Sequence, residues 1–225
     1  LGNLMLSNAI KEARNVVLVS KVVQQDSLLD PYTFDSLRQS DPMFLDNAYR
    51  DGYANLETDA AFQDDVKTCR TFNPKLQVKG QEYHAFSVRM AMVFDAMKTQ
   101  KFLDRNNLSE VINYRGNVVD LLGTTNYPQM FYTLDVDDVL TENFVPEMIK
   151  DKIVIFGFLG EYLGDPSWDD KFYTPLNKKL AGKANPDMFG AVVHANIVSM
   201  ILNKDYVAQM AEWQEVVVAI ILCLL

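Results

Sequence analysis

Two short runs of β-branched residues most strongly constrain the fold of this 225-residue chain. Residues 16–20 read VVLVS, and residues 152–158 read KIVIFGF. Because neither run alternates between apolar and polar residues, each is typical of a strand that is covered on both faces of its sheet. Helical periodicity predicts helices at residues 3–14 and 84–97. Strands that alternate with helices in this way predict an α/β fold, with three layers around a mixed, mostly parallel sheet.

The remaining predicted elements are short. Four further strands are predicted, at residues 53–57, 69–73, 110–114 and 131–134. The close spacing of the first two indicates some antiparallel pairing. A short helix is predicted near residues 34–39, and a short helix or turn at residues 136–140. A longer helix is predicted from residue 186 to about residue 202, with Asp187 as the N-cap that accepts free backbone amides.

The charge of the chain excludes two classes of partner. With 21 basic and 30 acidic residues, the net charge is −9, which argues against nucleic acid and against a polybasic surface for anionic lipid. The 48% hydrophobic content excludes a disordered chain. Residues 35–65 carry eight acids and two bases, and they contain no calcium-loop spacing. We interpret this segment as a solvated acidic face.

Motifs for cofactors and metals are missing from the sequence. The glycines after residue 156 do not form the G-x-G-x-x-G pattern of dinucleotide sites, and there is no phosphate-binding loop. Two histidines and two cysteines, without C-x-x-C or H-E-x-x-H spacing, do not indicate a zinc site. Cys69 and Cys223 lie in dissimilar surroundings and are not expected to pair. The sequence therefore predicts neither a metal nor a cofactor.

Five polar residues are candidates for binding a ligand: Asp165, Thr174, His194, Asn196 and Arg115. Asp165 follows the predicted strand at residues 152–158, and ligands of open α/β sheets gather beyond the carboxyl ends of strands. His194 and Asn196 share one predicted helix, but they project about 200° apart and do not fit one small site there. The sequence therefore does not predict that the five candidates share one site.

Structural roles are alternatives for the same residues. Asp165 is equally suited to cap amides of its own loop, and Thr174 fits a rigid Thr-Pro turn. Arg115 ends a predicted strand, where an ion pair with a loop acid such as Asp165 is favoured over substrate binding. For His194, a hydrogen bond to a backbone carbonyl or a loop carboxylate is favoured over a role as ligand or proton carrier.

The chain ends in ten consecutive apolar residues, VVVAIILCLL, at positions 216–225. A membrane-spanning helix needs about 20 such residues. The run is therefore either a terminal core helix or the first half of a spanning helix. Trp213 precedes it and suits a membrane–water interface.

Several segments, taken in order, resemble one family. They are INYRG at 112–116, KIVIFGF at 152–158, Gly164 with Asp165, Thr174 with Pro175, and FGAVVHANIVSMIL at 189–202. This order resembles the CHASE extracellular sensory domain of the second type, over about residues 110–225. The loop at residues 161–186 departs from the family, whose members often have a shorter link there.

The resemblance implies an extracytoplasmic sensor domain of a bacterial membrane receptor at residues 1–212, without catalysis of its own. Residues 213–225 would then begin a transmembrane helix that passes the signal of an unknown small molecule or envelope protein. Sensors of this kind are often dimers, so a homodimer is a further expectation. The alternatives are a hydrolase-like enzyme using Asp165, His194 and a loop acid, or a structural interaction module of the cell envelope.

Overall fold

The fold was established from a computed structural model, in which residues 1–23, 34–58, 68–118, 131–161, 165, 169–177, 185–208 and 212–224 are described. The helices are α1 (Gly2–Ala13), α2 (Pro42–Leu45), α3 (Phe86–Phe94), α4 (Ala96–Leu103), α5 (Val136–Leu140), α6 (Gly190–Asn203) and α7 (Glu212–Leu224). The strands are β1 (Val17–Val23), β2 (Ser36–Arg38), β3 (Arg50–Tyr53), β4 (Thr71–Phe72), β5 (Lys75–Val78), β6 (Gln81–His84), β7 (Glu110–Val111), β8 (Lys171–Phe172) and β9 (Met188–Phe189).

The largest sheet has three strands in the order β2-β1-β3. Strand β1 pairs in parallel with β3, from Val17 opposite Arg50 to Ser20 opposite Tyr53. It pairs antiparallel with β2 on its other edge, so the sheet is mixed, as predicted. The pairs β4-β7, β5-β6 and β8-β9 are all antiparallel. The predicted α/β class is confirmed, but the sheets are small, β1-β3 is the one parallel pair among the described strands, and three layers are not confirmed.

The prediction of a strand at residues 152–158 is wrong. Within the described part of the chain, residues 153–160 pair with no strand. Their exposure alternates instead: Ile153 and Ile155 pack on the core, whereas Phe156 is 88% exposed. A β-branched run favours extended backbone, but a strand forms only where a neighbour supplies hydrogen bonds. Strand β1 is also covered less than predicted, since Val19 is 47% exposed.

In other short segments, the observed secondary structure differs from the prediction because contacts with the rest of the fold decide it. The helix predicted near residues 34–39 is instead β2, and helix α2 begins after Asp41, whose Oδ1 accepts the Met43 N–H at 2.9 Å. The helix predicted at residues 84–97 is two helices, because Asp95 ends α3 and its Oδ1 accepts the Lys98 N–H as the cap of α4. Residues 131–134 are irregular, whereas α1 and α5 confirm the helices predicted there.

The core lies where α3 packs against both α6 and the β1-β3 pair. Val88 and Ala91 of α3 and Val193 and Ile197 of α6 are fully buried. Gly52 permits the close approach of β3 to α3, because a Cβ there would lie 2.7 Å from the Phe86 Cα. Helix α3 therefore packs directly against β3 on one side and against α6 on the other.

The apolar C-terminal run forms the exposed helix α7. Val216 is 57% exposed and Leu224 82% exposed. Among the described helices, none combines the length and apolarity that crossing a membrane requires. The start of a spanning helix at residues 213–225 remains a prediction. Cys69 is buried and Cys223 exposed, and both are free.

Candidate functional site

A cavity of about 250 Å³ lies beyond the carboxyl end of β3. Its described lining residues are Phe34, Tyr53, Asn55, Leu56, Glu57, Thr58, Asn73 and Leu76. Five of these eight follow one another closely where β3 ends, beside its parallel partner β1. This is the edge at which α/β sheets commonly bind ligands.

Asn55 holds the chain alongside β1 after β3 has ended. The N–H of Ala54 donates to the Ser20 carbonyl at 2.9 Å. The Asn55 side chain then takes the place of a backbone partner: its Oδ1 accepts the Val22 N–H at 2.9 Å and its Nδ2 donates to the Val22 carbonyl at 3.0 Å. Both polar groups of Val22 are thereby satisfied, and the segment that lines the cavity is tied to β1.

Tyr53 ties the β3 side of the cavity to its opposite wall. Its hydroxyl donates to the Asn73 carbonyl at 2.6 Å, and only 2% of the residue is exposed. Burial, and after it the charge of Glu57, raise the pKa of Tyr53 far above its usual value. The phenol therefore remains a neutral donor, and its ring contributes an apolar surface to the cavity.

Glu57 is held in position by two hydroxyls. Its Oε2 accepts from Thr71 Oγ1 at 2.8 Å and from Ser109 Oγ at 3.3 Å. The neighbouring Cys69 thiol is fully buried, and burial raises its pKa to about 12, so it stays protonated. Among the eight described lining residues, Glu57 is the one with a carboxyl group, and none of the eight is cysteine or serine.

The five candidates from the sequence lie outside this lining, although His194 contacts the segment that carries several of the lining residues. The His194 Nε2 is 3.3 Å from the carbonyl oxygen of Ala54, which lies between two lining residues. The ring stands edge-on to Phe86 at 5.6 Å between centroids. Burial lowers the pKa of His194 to about 4, so the imidazole is neutral at pH 7. The interpretation of His194 as tied to a backbone carbonyl fits this geometry.

Asn196 and Arg115 are brought together, on the other side of α6. The fully buried Asn196 amide accepts the N–H of Arg115 at 2.8 Å and of Gly116 at 3.2 Å. It donates to the carbonyls of Gly116 and Val192, both at 2.9 Å. The Arg115 guanidinium lies 4.0 Å from Asp205, which is its acidic partner in place of Asp165.

Asp165 and Thr174 both serve the loops around β8. Asp165 Oδ2 accepts the Glu161 N–H at 3.0 Å, as expected for a carboxylate that caps its own loop. Thr174 donates its N–H and its hydroxyl to the two carboxylate oxygens of Asp187, at 2.9 and 2.6 Å. Residues 162–164, 166–168 and 178–184 of the long loop lie outside the described residues.

The prediction that Asp187 caps a helix is therefore wrong. Helix α6 begins at Gly190, and its N-cap is Phe189. Asp187 is too far upstream to reach the free amides of α6, and its carboxylate is used by Thr174 instead. Burial raises the pKa of Asp187, although the hydrogen bonds from Thr174 oppose the shift.

Sequence reasoning missed the cavity because it extended the β3 strand too far. Residues 53–57 were predicted as a strand, but β3 ends at Tyr53. Asn55 and Glu57 are polar residues that directly follow a strand, and the strand-end rule that selected Asp165 would have selected them too.

The described residues form a mixed α/β domain with a small cavity at a strand end, and they contain no group of three side chains that could hold a metal ion. The chain belongs to the CHASE2 domain family, whose model matches residues 3–225. The CHASE2 family consists of extracellular sensory domains, not of catalysts. No curated protein and no solved structure matches the chain. The resemblance found in the sequence is thereby confirmed.

Proposed function

We propose that this chain is the extracytoplasmic ligand-sensing domain of a bacterial membrane receptor, and that the cavity beyond β3 is its sensory site. The cavity carries the proposal, because it places a charged group, free polar groups and apolar walls at the edge where this class of fold binds ligands. Membership of the CHASE2 family supports the sensory role.

A chain of contacts leads from the cavity toward the C-terminal helix. Ala54 lies between the lining residues Tyr53 and Asn55, and its carbonyl contacts His194 on α6. Helix α6 ends at Asn203, and α7 follows from Glu212. A ligand that displaces the segment after β3 would change the position of α6 and hence of α7. A ligand shifts a conformational equilibrium only if it binds one conformation more tightly than the other, and contact with the segment after β3 would supply that difference.

The signal would leave the domain through the apolar end of α7. We propose that residues 213–225 begin a helix that enters the membrane, which accounts for the exposure of Ile220 and Leu224 in an otherwise acidic chain. Membrane attachment would place the cavity on the extracytoplasmic side, as the family predicts.

A structural interaction module is the second candidate. The exposed side chains of Val154, Phe156 and Phe158 favour it, because a group of large apolar residues on one surface segment suits contact with a protein partner. A hydrolase has less support. His194 is neutral, faces a backbone carbonyl and a phenyl ring, and makes no hydrogen bond with Asp165 within the described residues.

A stability screen tests the sensory role. The 225-residue chain is heated with a library of small metabolites. A ligand at 100 times its Kd should stabilise the folded state by about 2.7 kcal/mol, which raises the Tm by about 5–10 °C for a chain of this size.

The matched variants are Leu76→Trp, which fills the cavity, and Leu140→Trp, which adds the same side chain at an exposed site of α5. We expect the shift to persist in Leu140→Trp and to disappear in Leu76→Trp. A shift that survives Leu76→Trp would place the site elsewhere. A library that shifts nothing would favour the interaction module.

A further inference from the structure

The described lining residues of the cavity carry a single kind of charge. Glu57 is its one ionisable carboxyl group, and none of the eight described lining residues is Lys, Arg or His. The side chains of Thr58 and Asn73 add polar groups that form no hydrogen bond within the described part of the chain. Phe34, Leu56 and Leu76 supply apolar walls. The cavity is therefore negative at one place and apolar around it.

Half of the Glu57 carboxylate remains available to a ligand. Thr71 and Ser109 both donate to Oε2, and no described residue donates to Oε1. No described base forms an ion pair with Glu57. Lys75, which adjoins the lining residue Leu76 in the sequence, is paired with Glu82 at 3.3 Å. The negative charge of Glu57 is thus held in place by neutral donors and is not neutralised within the described residues.

The described lining disfavours two classes of ligand. An anion would lose hydration opposite a fixed carboxylate, without a cation in the lining to compensate it. A divalent metal needs several carboxylate or histidine ligands, and the described residues contain no group of three such side chains. An organic cation is attracted to the carboxylate and does not need several carboxylate or histidine ligands.

We propose that the cavity binds a small organic ammonium compound with a compact apolar or aromatic body. The ammonium group contacts Glu57 Oε1, with the Asn73 and Thr58 oxygens as further acceptors, while the apolar body lies against Phe34, Leu56 and Leu76. The volume of about 250 Å³ restricts the ligand to a compact molecule. The proposal rests on the proposed sensory function and names the class of ligand that the cavity recognises.

Three probes of nearly equal shape separate charge from size: 2-phenylethylammonium, 2-phenylethanol and 3-phenylpropionate. Each is titrated into the isotope-labelled 225-residue chain, and the amide resonances of Leu56 and Leu76 are followed by NMR. We expect the ammonium probe to bind at least about tenfold more tightly than the alcohol, because it gains a charge-assisted hydrogen bond. The carboxylate should leave both resonances unchanged.

The variant Glu57→Gln removes the charge and keeps an oxygen for Thr71 and Ser109. It should bind the ammonium and the alcohol equally. Glu12→Gln on the exposed side of α1 removes a charge far from the lining and should preserve the preference for ammonium.

The comparison of probes on the unaltered chain stands even if Glu57→Gln fails to fold. Equal binding of ammonium and alcohol, or tighter binding of the carboxylate, would overturn the ligand class. So would a preference for ammonium that persists in a folded Glu57→Gln, or three probes that leave Leu56 and Leu76 unchanged at millimolar concentration. The metabolite screen on the same chain judges the sensory function separately, since a stabilising anion or neutral compound would leave that function intact.

Discussion

The buried amide of Asn196 gives the sharpest quantitative prediction. In Asn196→Ala, three backbone groups outside α6 lose a hydrogen-bond partner: the N–H groups of Arg115 and Gly116 and the carbonyl of Gly116. The Asn196 side chain is completely buried. Alanine offers no replacement donor or acceptor, so the turn that follows β7 is left unsatisfied against α6.

The expected loss in the free energy of unfolding is about 3–6 kcal/mol, from about 1–3 kcal/mol for each buried group left without a partner. The lower part of the summed range applies because Arg115 is only partly buried. A domain is stabilised by about 5–15 kcal/mol in total. The variant should therefore lose a large share of its stability.

Urea unfolding followed by circular dichroism measures the loss. Asn203→Ala is the matched control on the same helix. The Asn203 amide donates to the Ser199 carbonyl at 2.8 Å but is exposed, so its loss should change stability by less than about 0.5 kcal/mol. A loss below about 1 kcal/mol for Asn196→Ala would refute the reasoning, since it would mean that the turn finds other partners.

Two further predictions concern the pH dependence of stability and the packing of β3. The pKa of His194 is about 4 in the folded chain against 6.5 in the unfolded chain, so its contribution to the free energy of unfolding is complete above pH 6.5 and falls by about 3 kcal/mol as the pH drops to 4. In His194→Gln, unfolding titrations should lack this part of the acid dependence. An unchanged pH profile would contradict the assignment of His194 as a buried neutral imidazole. Gly52→Ala places a Cβ 2.7 Å from the Phe86 Cα and should lower the free energy of unfolding, measured by thermal unfolding, by about 1–3 kcal/mol. The control Gly2→Ala, whose Cβ has nothing within 4 Å, should leave it unchanged. Equal Tm values for the two variants would show that β3 and α3 separate easily.

Helices were predicted better than strands, because the backbone hydrogen bonds of a helix join residues that are close together in the sequence. Helix α1 and the end of α6 lie within about a residue of the positions that periodicity predicted. The run at residues 152–158 has the composition of a strand, but pairing depends on a partner from elsewhere in the chain, and the described residues supply none.

The break between α3 and α4 shows a second limit. The apolar pattern continues through residues 84–97, but the Asp95 side chain competes for backbone amides and starts a new helix. The exposure of Met97 at 79% follows from that break. Periodicity does not register a cap inside an apolar stretch.

The sequence by itself determined the family, through an ordered set of segments that the match over residues 3–225 confirms. It also determined the acidic character and the α/β class. Only the tertiary structure decided where the cavity lies and which residues line it. The reason is distance along the chain: the cavity joins residues 34, 53, 55–58, 73 and 76, and the contact behind it joins Ala54 to His194 across 140 positions. Such contacts form only when β3, α3 and α6 pack together.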